Sequence, residues 1–326
     1  MKNVTKLIRP ILTGILAAII LVFILRISGI LRRPGFKSTK NPYEYNLDDL
    51  KKIDPALLKW KEIQSLNIPL VKLTGICLDN QNNIYIAGDW SVIVYTDKGK
   101  QISKFDLPDK PRCISISPDN KLFIGMDDHI EIYSTQGKKI VQWEKIDSNS
   151  VITSLAITGN FVFAADAGNR IVWKFDNKGK IIGTIGKKNP EKGIPGFVIP
   201  SPYFDVSIGY EGNLWVVNPG RHTLENYSPN GELISFWGKA SQKTEGFCGC
   251  CNPSHFVVLP NGYFITSEKG LLRVKEYNQA GKLTSVVAAP DQFDDGTVNL
   301  DLAVDSEGRI LVLDPGRKKV RIFTRK

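Results

Sequence analysis

A short signature recurs along this chain and constrains its fold more than any other feature. A turn glycine stands in Lys98-Gly99-Lys100, Gln136-Gly137-Lys138, Lys178-Gly179-Lys180, Asn230-Gly231-Glu232 and Ala280-Gly281-Lys282, and four positions before each glycine stands an aromatic: Tyr95, Tyr133, Phe175, Tyr227 and Tyr277. Successive glycines are 38, 42, 52 and 50 residues apart, the range of units that stack or close into rings. Ahead of each aromatic lies a run of β-formers, Ile84-Tyr85-Ile86, Leu122-Phe123-Ile124, Phe161-Val162-Phe163, Leu214-Trp215-Val216 and Tyr263-Phe264-Ile265. Each run is followed by a residue with a side-chain acceptor, in order Asp89, Asp127, Asp166, Asn218 and Glu268. A sixth copy, Ile310 to Asp314 and then Val320 to Phe323, stops at Lys326, one residue before its turn glycine is due.

Each copy reads as four short antiparallel strands joined by Gly, Asn and Asp turns, and helical periodicity is absent from the whole body. Such a unit is a propeller blade. Leu58-Lys59-Trp60-Lys61-Glu62-Ile63 is a β-prone segment without a blade of its own, while the sixth copy lacks its outermost strand. The segment therefore supplies that strand and closes the ring, which removes an open sheet edge. The fold class expected is all-β, a six-bladed β-propeller closed by an N-terminal strand and preceded by one transmembrane helix. Residues 1–40 form the anchor and its basic flank, 41–57 a linker and 58–326 the propeller. A closed ring needs no partner to hide its edges, so a monomer is expected.

Asp166-Ala167-Gly168-Asn169-Arg170-Ile171, followed by Phe175-Asp176 and Gly179-Lys180, resembles the repeat of NHL-type six-bladed propellers. The resemblance covers residues 58–326, and copies two, four and five lack the Gly-Asn-Arg centre. It implies the fold and leaves the activity open, because the family holds protein-binding modules, lyases and hydrolases. Some NHL-like propellers are lyases that hold zinc by histidines, and calcium-dependent lactonases share the architecture, but neither ligand set can be matched to this chain residue by residue.

The anchor reading rests on Pro10 to Leu25, sixteen residues without a charge, preceded by Lys2, Lys6 and Arg9. With Arg26 snorkelling and Ile27 to Leu31 added, the apolar stretch over residues 10–31 reaches the roughly 20 residues that a bilayer core requires. A cleaved signal peptide is the alternative, but no A-x-A site comes after the apolar run and no Cys is placed to take a lipid, so an uncleaved anchor is favoured. Charge flanking the segment leans to a cytoplasmic body. Export by an N-terminal hydrophobic segment leans to the other side, and an extracytoplasmic propeller is the expectation adopted.

Net charge at first suggests nucleic acid. Of 43 basic and 33 acidic residues, eight basic and no acidic ones fall in the first forty positions, so the remaining 35 basic and 33 acidic residues leave only +2. That body lacks the excess of a phosphate-tracking surface, which argues against nucleic acid as partner.

Loops between the second and third strands of a blade open on the same face as the connections between blades. That face collects Asp127-Asp128-His129, Asn218-Pro219-Gly220-Arg221-His222, Glu268-Lys269 and Asp314-Pro315-Gly316-Arg317, together with the connection from blade four to blade five. The connection holds Phe247-Cys248-Gly249-Cys250-Cys251-Asn252-Pro253-Ser254-His255. Cys248, Cys250, Cys251 and His255 offer a Cys₃His set for zinc or copper, although the spacing matches no common zinc ribbon. Two other readings stand beside it: a disulfide pinning the connection, or small buried residues that only pack, as Cys77 and Cys113 do in innermost strands. His222 and Glu268 are candidate ligand residues at the same junction. Arg170, Arg221, Arg273 and Arg317 are candidates for a basic rim, against which stands ordinary solvated charge. The ring of acids at the second-strand ends is better explained by capping of backbone N–H groups than by a cation channel.

These features support two functions from different classes. One is a membrane-tethered binding scaffold for a protein or small ligand at the loop face. The other is a metal-dependent or redox enzyme, lyase-like or hydrolase-like, using the Cys/His loop.

Overall fold

The computed structural model describes residues 4–27 and 47–326, which divide between two units, 1–46 and 47–326. In the first, one α-helix runs Val4–Ile27. Its described side chains include Ile15, Leu16, Ile19, Ile20, Leu21, Val22, Phe23 and Ile24, apolar and exposed at consecutive positions and hence on every face of the helix. Among the described residues no helix is long and apolar enough to cross a membrane. The expected span over 10–31 extends past Ile27 into residues outside the described ones.

The second unit is a ring of six four-stranded antiparallel sheets. Blade one is Leu73–Leu78, Ile84–Gly88, Ser91–Tyr95 and Gln101–Asp106. Blade two is Cys113–Ile116, Lys121–Gly125, Ile130–Ser134 and Lys139–Gln142, and blade three Ile152–Ile157, Phe161–Asp166, Ile171–Asp176 and Ile181–Ile185. Blade four is Val206–Ile208, Leu214–Asn218, Thr223–Tyr227 and Leu233–Trp237. Blade five is His255–Val258, Phe264–Ser267, Val274–Tyr277 and Leu283–Ala288. Blade six takes Leu302–Val304, Ile310–Asp314 and Lys319–Arg325 from the C-terminus and its outermost strand, Trp60–Asn67, from the start of the body.

The closing strand thus begins two residues later than Leu58 and continues past Ile63, because Pro55–Leu57 form a 3₁₀ turn whose cap is Leu58. Trp60 pairs with Arg325 and Asn67 with Lys319. Trp60 is buried, its indole N–H donates to Ser285 Oγ of blade five at 3.0 Å, and Arg321 Nη2 reaches Glu62 Oε2 at 2.6 Å.

The recurrent glycine has two causes. All five adopt positive φ, from 74° at Gly281 to 89° at Gly179, a region side chains disfavour. Three of them also lie against an aromatic of the preceding blade. A Cβ would fall 2.4 Å from the Phe105 ring at Gly137, 2.5 Å from Trp143 at Gly179 and 2.6 Å from Trp237 at Gly281. The aromatic four residues earlier packs on the same neighbour: Tyr133 on Phe105 at 5.8 Å, Phe175 on Trp143 at 5.2 Å and Tyr277 on Trp237 at 4.9 Å between ring centres. The repeat is therefore the seam between blades.

The loop face is lopsided. Connections over 186–205, 238–254 and 289–301 are long, whereas those over 68–72, 107–112 and 143–151 are short. One half of the rim consequently carries most of the irregular chain, the half where binding and catalytic residues can be placed by a rigid scaffold.

Candidate functional site

A clamp repeated around the ring sets the position of the cysteine loop. The acceptor at the end of the second strand takes a backbone N–H from the connection entering its own blade. Val71 N–H donates to Asp89 Oδ2, Val151 to Asp166 Oδ1 and Val198 to Asn218 Oδ1, each at 2.9 Å. Blade five repeats the contact with Cys248 N–H and Glu268 Oε1 at 3.2 Å. Backbone capping is thus the observed role of these residues in four blades.

Glu268 does more than its counterparts because it is longer. It is buried, and its carboxylate also receives Arg273 (Nη2 at 3.0 Å) and Lys275 (Nζ at 3.3 Å), both fully buried. Burial, with Arg273 alongside, pushes the Lys275 pKa down to about 8 despite Glu268. Lys275 Nζ donates to the carbonyls of Gly246 at 2.6 Å and Thr244 at 3.1 Å and sits 4.7 Å over the Phe247 ring. Phe247, also buried, packs on Tyr277 at 5.6 Å. The stretch before the first thiol is therefore anchored in blade five.

Beyond Gly249, which turns the chain at φ 85°, Cys250 is exposed and Cys251 buried, with their sulfurs 3.2 Å apart. Asn252, buried, ties the chain down immediately after the thiols. Its Nδ2 donates to Lys269 O at 2.9 Å, its Oδ1 accepts from Lys269 N–H at 2.8 Å, and its carbonyl lies 3.2 Å from His222 Nδ1. Lys269 Nζ donates to Ser201 Oγ at 2.7 Å and lies 4.5 Å over the Tyr203 ring, and Ser201 Oγ donates to Cys251 Sγ at 3.3 Å. Burial raises the Cys251 pKa, but the Lys269 cation nearby and the hydrogen bonds with Ser201 and Cys250 outweigh it and leave the thiol below its ordinary value. The Cys250 pKa is raised by its hydrogen bond to Cys251 and by that neighbour's charge. Cys251 is the sulfur that ionises first.

His255, the last of the four metal candidates, is not beside the thiols. It opens the innermost strand of blade five, and its ring turns into the axial channel, where Nδ1 lies 3.6 Å from Asp205 Oδ2 and 3.5 Å from Asp301 Oδ1 and Nε2 lies 2.7 Å from Asn299 Oδ1. The cause is its place at the head of an innermost strand, since residues of all six innermost strands line the channel. Burial lowers the His255 pKa, but the neighbouring Asp205 and Asp301 carboxylates, with the hydrogen bond to Asn299, overcome it and raise it to about 9. Asp301 is pushed up to about 6 by burial and by Asp205, against the pull of His255. The carboxylates also bind the next blade, Asp205 accepting Phe256 N–H at 2.8 Å and Asp301 accepting Ile76 N–H at 2.9 Å. This cavity of about 200 Å³ also exposes Cys77 and Cys113.

Sequence reasoning passes over Asp205, Asp301 and Ser201. Each precedes an innermost strand or sits in a long connection without a spacing motif, so only the closed ring brings it to its partners. Of the four arginines expected on the rim, Arg273 is fully buried, because the buried Glu268 carboxylate of the same blade pairs with it. Arg317 pairs with Asp294 at 2.9 Å, and Arg170 and Arg221 are exposed on separate blades. All five cysteines are free thiols, and among the described residues no group of three or more His, Cys, Asp or Glu side chains is arranged to hold a metal.

No family model matches the chain, and no curated protein matches it in sequence. Its fold is similar to solved propellers. A streptogramin B lyase structure aligns with a TM-score of 0.59 at 12% identity, covering 84% of this chain and 100% of the other. A virginiamycin B lyase from Staphylococcus aureus aligns at 0.56 and 13%, covering 82% and 100%. A protein of unknown function from Bacteroides thetaiotaomicron aligns at 0.60 and 14%, covering 79% and 70%. At these identities the likeness establishes the six-bladed propeller and nothing finer.

Proposed function

We propose that this protein is a membrane-tethered binding scaffold whose loop face, over blades four and five, receives a protein or small ligand. The observation that carries the reading is the tying of two long connections to one strand loop: Ser201 from 186–205, Asn252 from 238–254 and Lys269 between the second and third strands of blade five are joined by hydrogen bonds while Cys250, Arg221 and Val198 stay exposed. A preformed rim of this kind loses little conformational freedom on binding. Tethering is supported by the helix Val4–Ile27, whose exposed apolar side chains on all faces have no reason to meet water. The propeller is proposed to lie on the extracytoplasmic side and to be monomeric.

Cross-linking in native membranes tests the binding reading. A partner should be retained by wild type and by a control altered at the outer edge of blade two, such as Ile140→Lys, and lost on Val198→Asp combined with Arg221→Glu. Equal retention by all three would refute the loop-face assignment. Modification of Cys250 by an impermeant maleimide in intact cells reports the side of the membrane, and resistance of the full chain to carbonate extraction, lost on removing residues 1–40, reports the tether.

A metal-dependent enzyme is the second reading, and the vicinal thiols favour it. Zinc or copper would draw on Cys248, Cys250 and Cys251, since the His255 ring is committed to Asn299 and the channel carboxylates. Stoichiometric metal in the purified protein, lost on Cys250→Ser, is the result that reading requires.

A further inference from the structure

We infer that Cys250 and Cys251 form a thiol–disulfide exchange site that oxidises and reduces reversibly against a small-molecule or protein disulfide. The inference goes beyond the scaffold reading and does not depend on it.

Three observations carry it. The two sulfurs are 3.2 Å apart, near enough for one to attack a disulfide formed on the other. They are unequal in access, Cys250 exposed and Cys251 buried, so an incoming disulfide meets Cys250 alone. The buried sulfur accepts from Ser201 Oγ at 3.3 Å, that hydroxyl holds the Lys269 ammonium at 2.7 Å, and Asn252 fixes the Lys269 backbone on both sides. A cysteine that merely packs needs no cation. Cys77 and Cys113 show that case in this same molecule: both are buried, and burial drives both thiols up.

Cys250 gives its proton to solvent and attacks a disulfide RSSR, and the first RS⁻ leaves and is protonated to RSH. The Cys251 sulfur, its own proton released to solvent, then attacks the Cys250 sulfur of the mixed disulfide and expels the second RS⁻, which is protonated in turn. The dithiol loses two electrons and two protons, and RSSR gains both to become two RSH. Reversal returns the oxidising equivalents to a substrate dithiol. Adjacent Cα atoms are about 3.8 Å apart across a trans peptide, below the roughly 4.4 Å at which disulfides become comfortable, so the product is strained and readily reduced. A structural crosslink would be built the other way, between distant residues and without strain.

Full-length protein in detergent, incubated with oxidised glutathione and read by intact mass, tests the scheme. Wild type and Cys248→Ser should each lose two hydrogens and keep no glutathione. Cys251→Ser should keep one glutathione, mapped by peptide mass to Cys250, and Cys250→Ser should show neither change. Lys269→Gln should slow the two-hydrogen loss at neutral pH, because it removes the cation held beside the Cys251 sulfur. Reduced glutathione at millimolar concentration should reopen the wild-type disulfide. A persistent adduct on wild type, a two-hydrogen loss that survives in Cys251→Ser, or a disulfide that resists reduced glutathione would each overturn the proposal. Because none of these readouts involves a partner or a membrane, failure here and failure of the scaffold reading are told apart.

Discussion

His255 keeps its proton because two carboxylates from different blades face it, Asp205 ahead of blade four and Asp301 ahead of blade six, with Asn299 on the other ring nitrogen and the Cys77 and Cys113 thiols on the opposite wall. Its folded pKa of about 9 lies above the ordinary 6.5. A raised pKa means that the native state binds the proton more tightly than the unfolded chain, so the stabilisation is complete below pH 6.5 and is lost as pH rises through 9. Asp301, raised from 3.8 to about 6, acts in the same sense at lower pH. The part of the stability owed to the His255 proton should therefore fall by about 3 kcal/mol between pH 6.5 and 9, partly offset in the wild-type curve by Lys275, whose lowered pKa of about 8 adds stability as pH rises past it. His255→Gln should start less stable at pH 6.5 and close the gap to wild type as pH approaches 9 in denaturant titrations, because it lacks the fall owed to the His255 proton. A wild-type curve that rises with pH would contradict the assignment. At the same scale, Glu268→Ala should cost about 3–5 kcal/mol, because it leaves Arg273 and Lys275 buried without their anion. A Glu268→Ala midpoint close to wild type would show that the cations find another partner.

The strand turns and the seams between blades are the part of the molecule most legible in the sequence. A glycine and an aromatic four residues apart are local, so their pairing survives in the linear order, and both prove to be seam residues. Acceptors such as Asp166 and Asn218 are legible for the same reason, since a residue closing a strand caps a neighbouring backbone. Illegible are contacts made only when the ring closes: Asp205 meets Asp301 across His255 through three different blades, and no spacing encodes that. The placement of His255 escapes sequence reasoning because the cysteine loop ends where an innermost strand begins, and that strand lines the channel. Charge suggests surface for Arg273, whereas a carboxylate held in the same blade buries it. Gly179→Ala meets both a φ of 89° and the Trp143 ring at 2.5 Å, and should cost more than about 2 kcal/mol. Gly183→Ala, four residues on in the outer strand, has an ordinary φ and open space, and should be neutral or stabilise by up to about 1 kcal/mol. Equal unfolding midpoints for the two variants would mean that the glycines are not seam residues.

Across the whole molecule, each blade buries its faces against two neighbours, so stability depends on the circuit being complete. Five blades are continuous in sequence, and the sixth is assembled from both ends of the body, which makes Trp60–Asn67 the latch of the ring. Trp60 carries much of that closure. Its indole bonds Ser285 in blade five, the Arg325 guanidinium lies 4.9 Å over its ring, and its buried face joins the cluster containing Ile265, Val287 and Phe323. Trp60→Ala should cost about 3–5 kcal/mol, the range for a large buried aromatic. Removing residues 60–67 should cost more, since the last C-terminal strand then has an unpaired edge and an exposed apolar face. The consequence is not confined to blade six. With the latch gone, blades five and one lose a neighbour each, and unfolding should broaden and lose cooperativity, with exchange of amide protons fastest in blades six and one. Transferring the latch tests the idea directly: a chain in which residues 58–67 are moved, with a short linker, to a position after Lys326 would make blade six continuous in sequence. Recovery of wild-type stability by that rearranged chain is expected, because the sheet order is kept while the connectivity changes. If the rearranged chain stays as unstable as the deletion, the N-terminal segment matters for something other than the strand it donates.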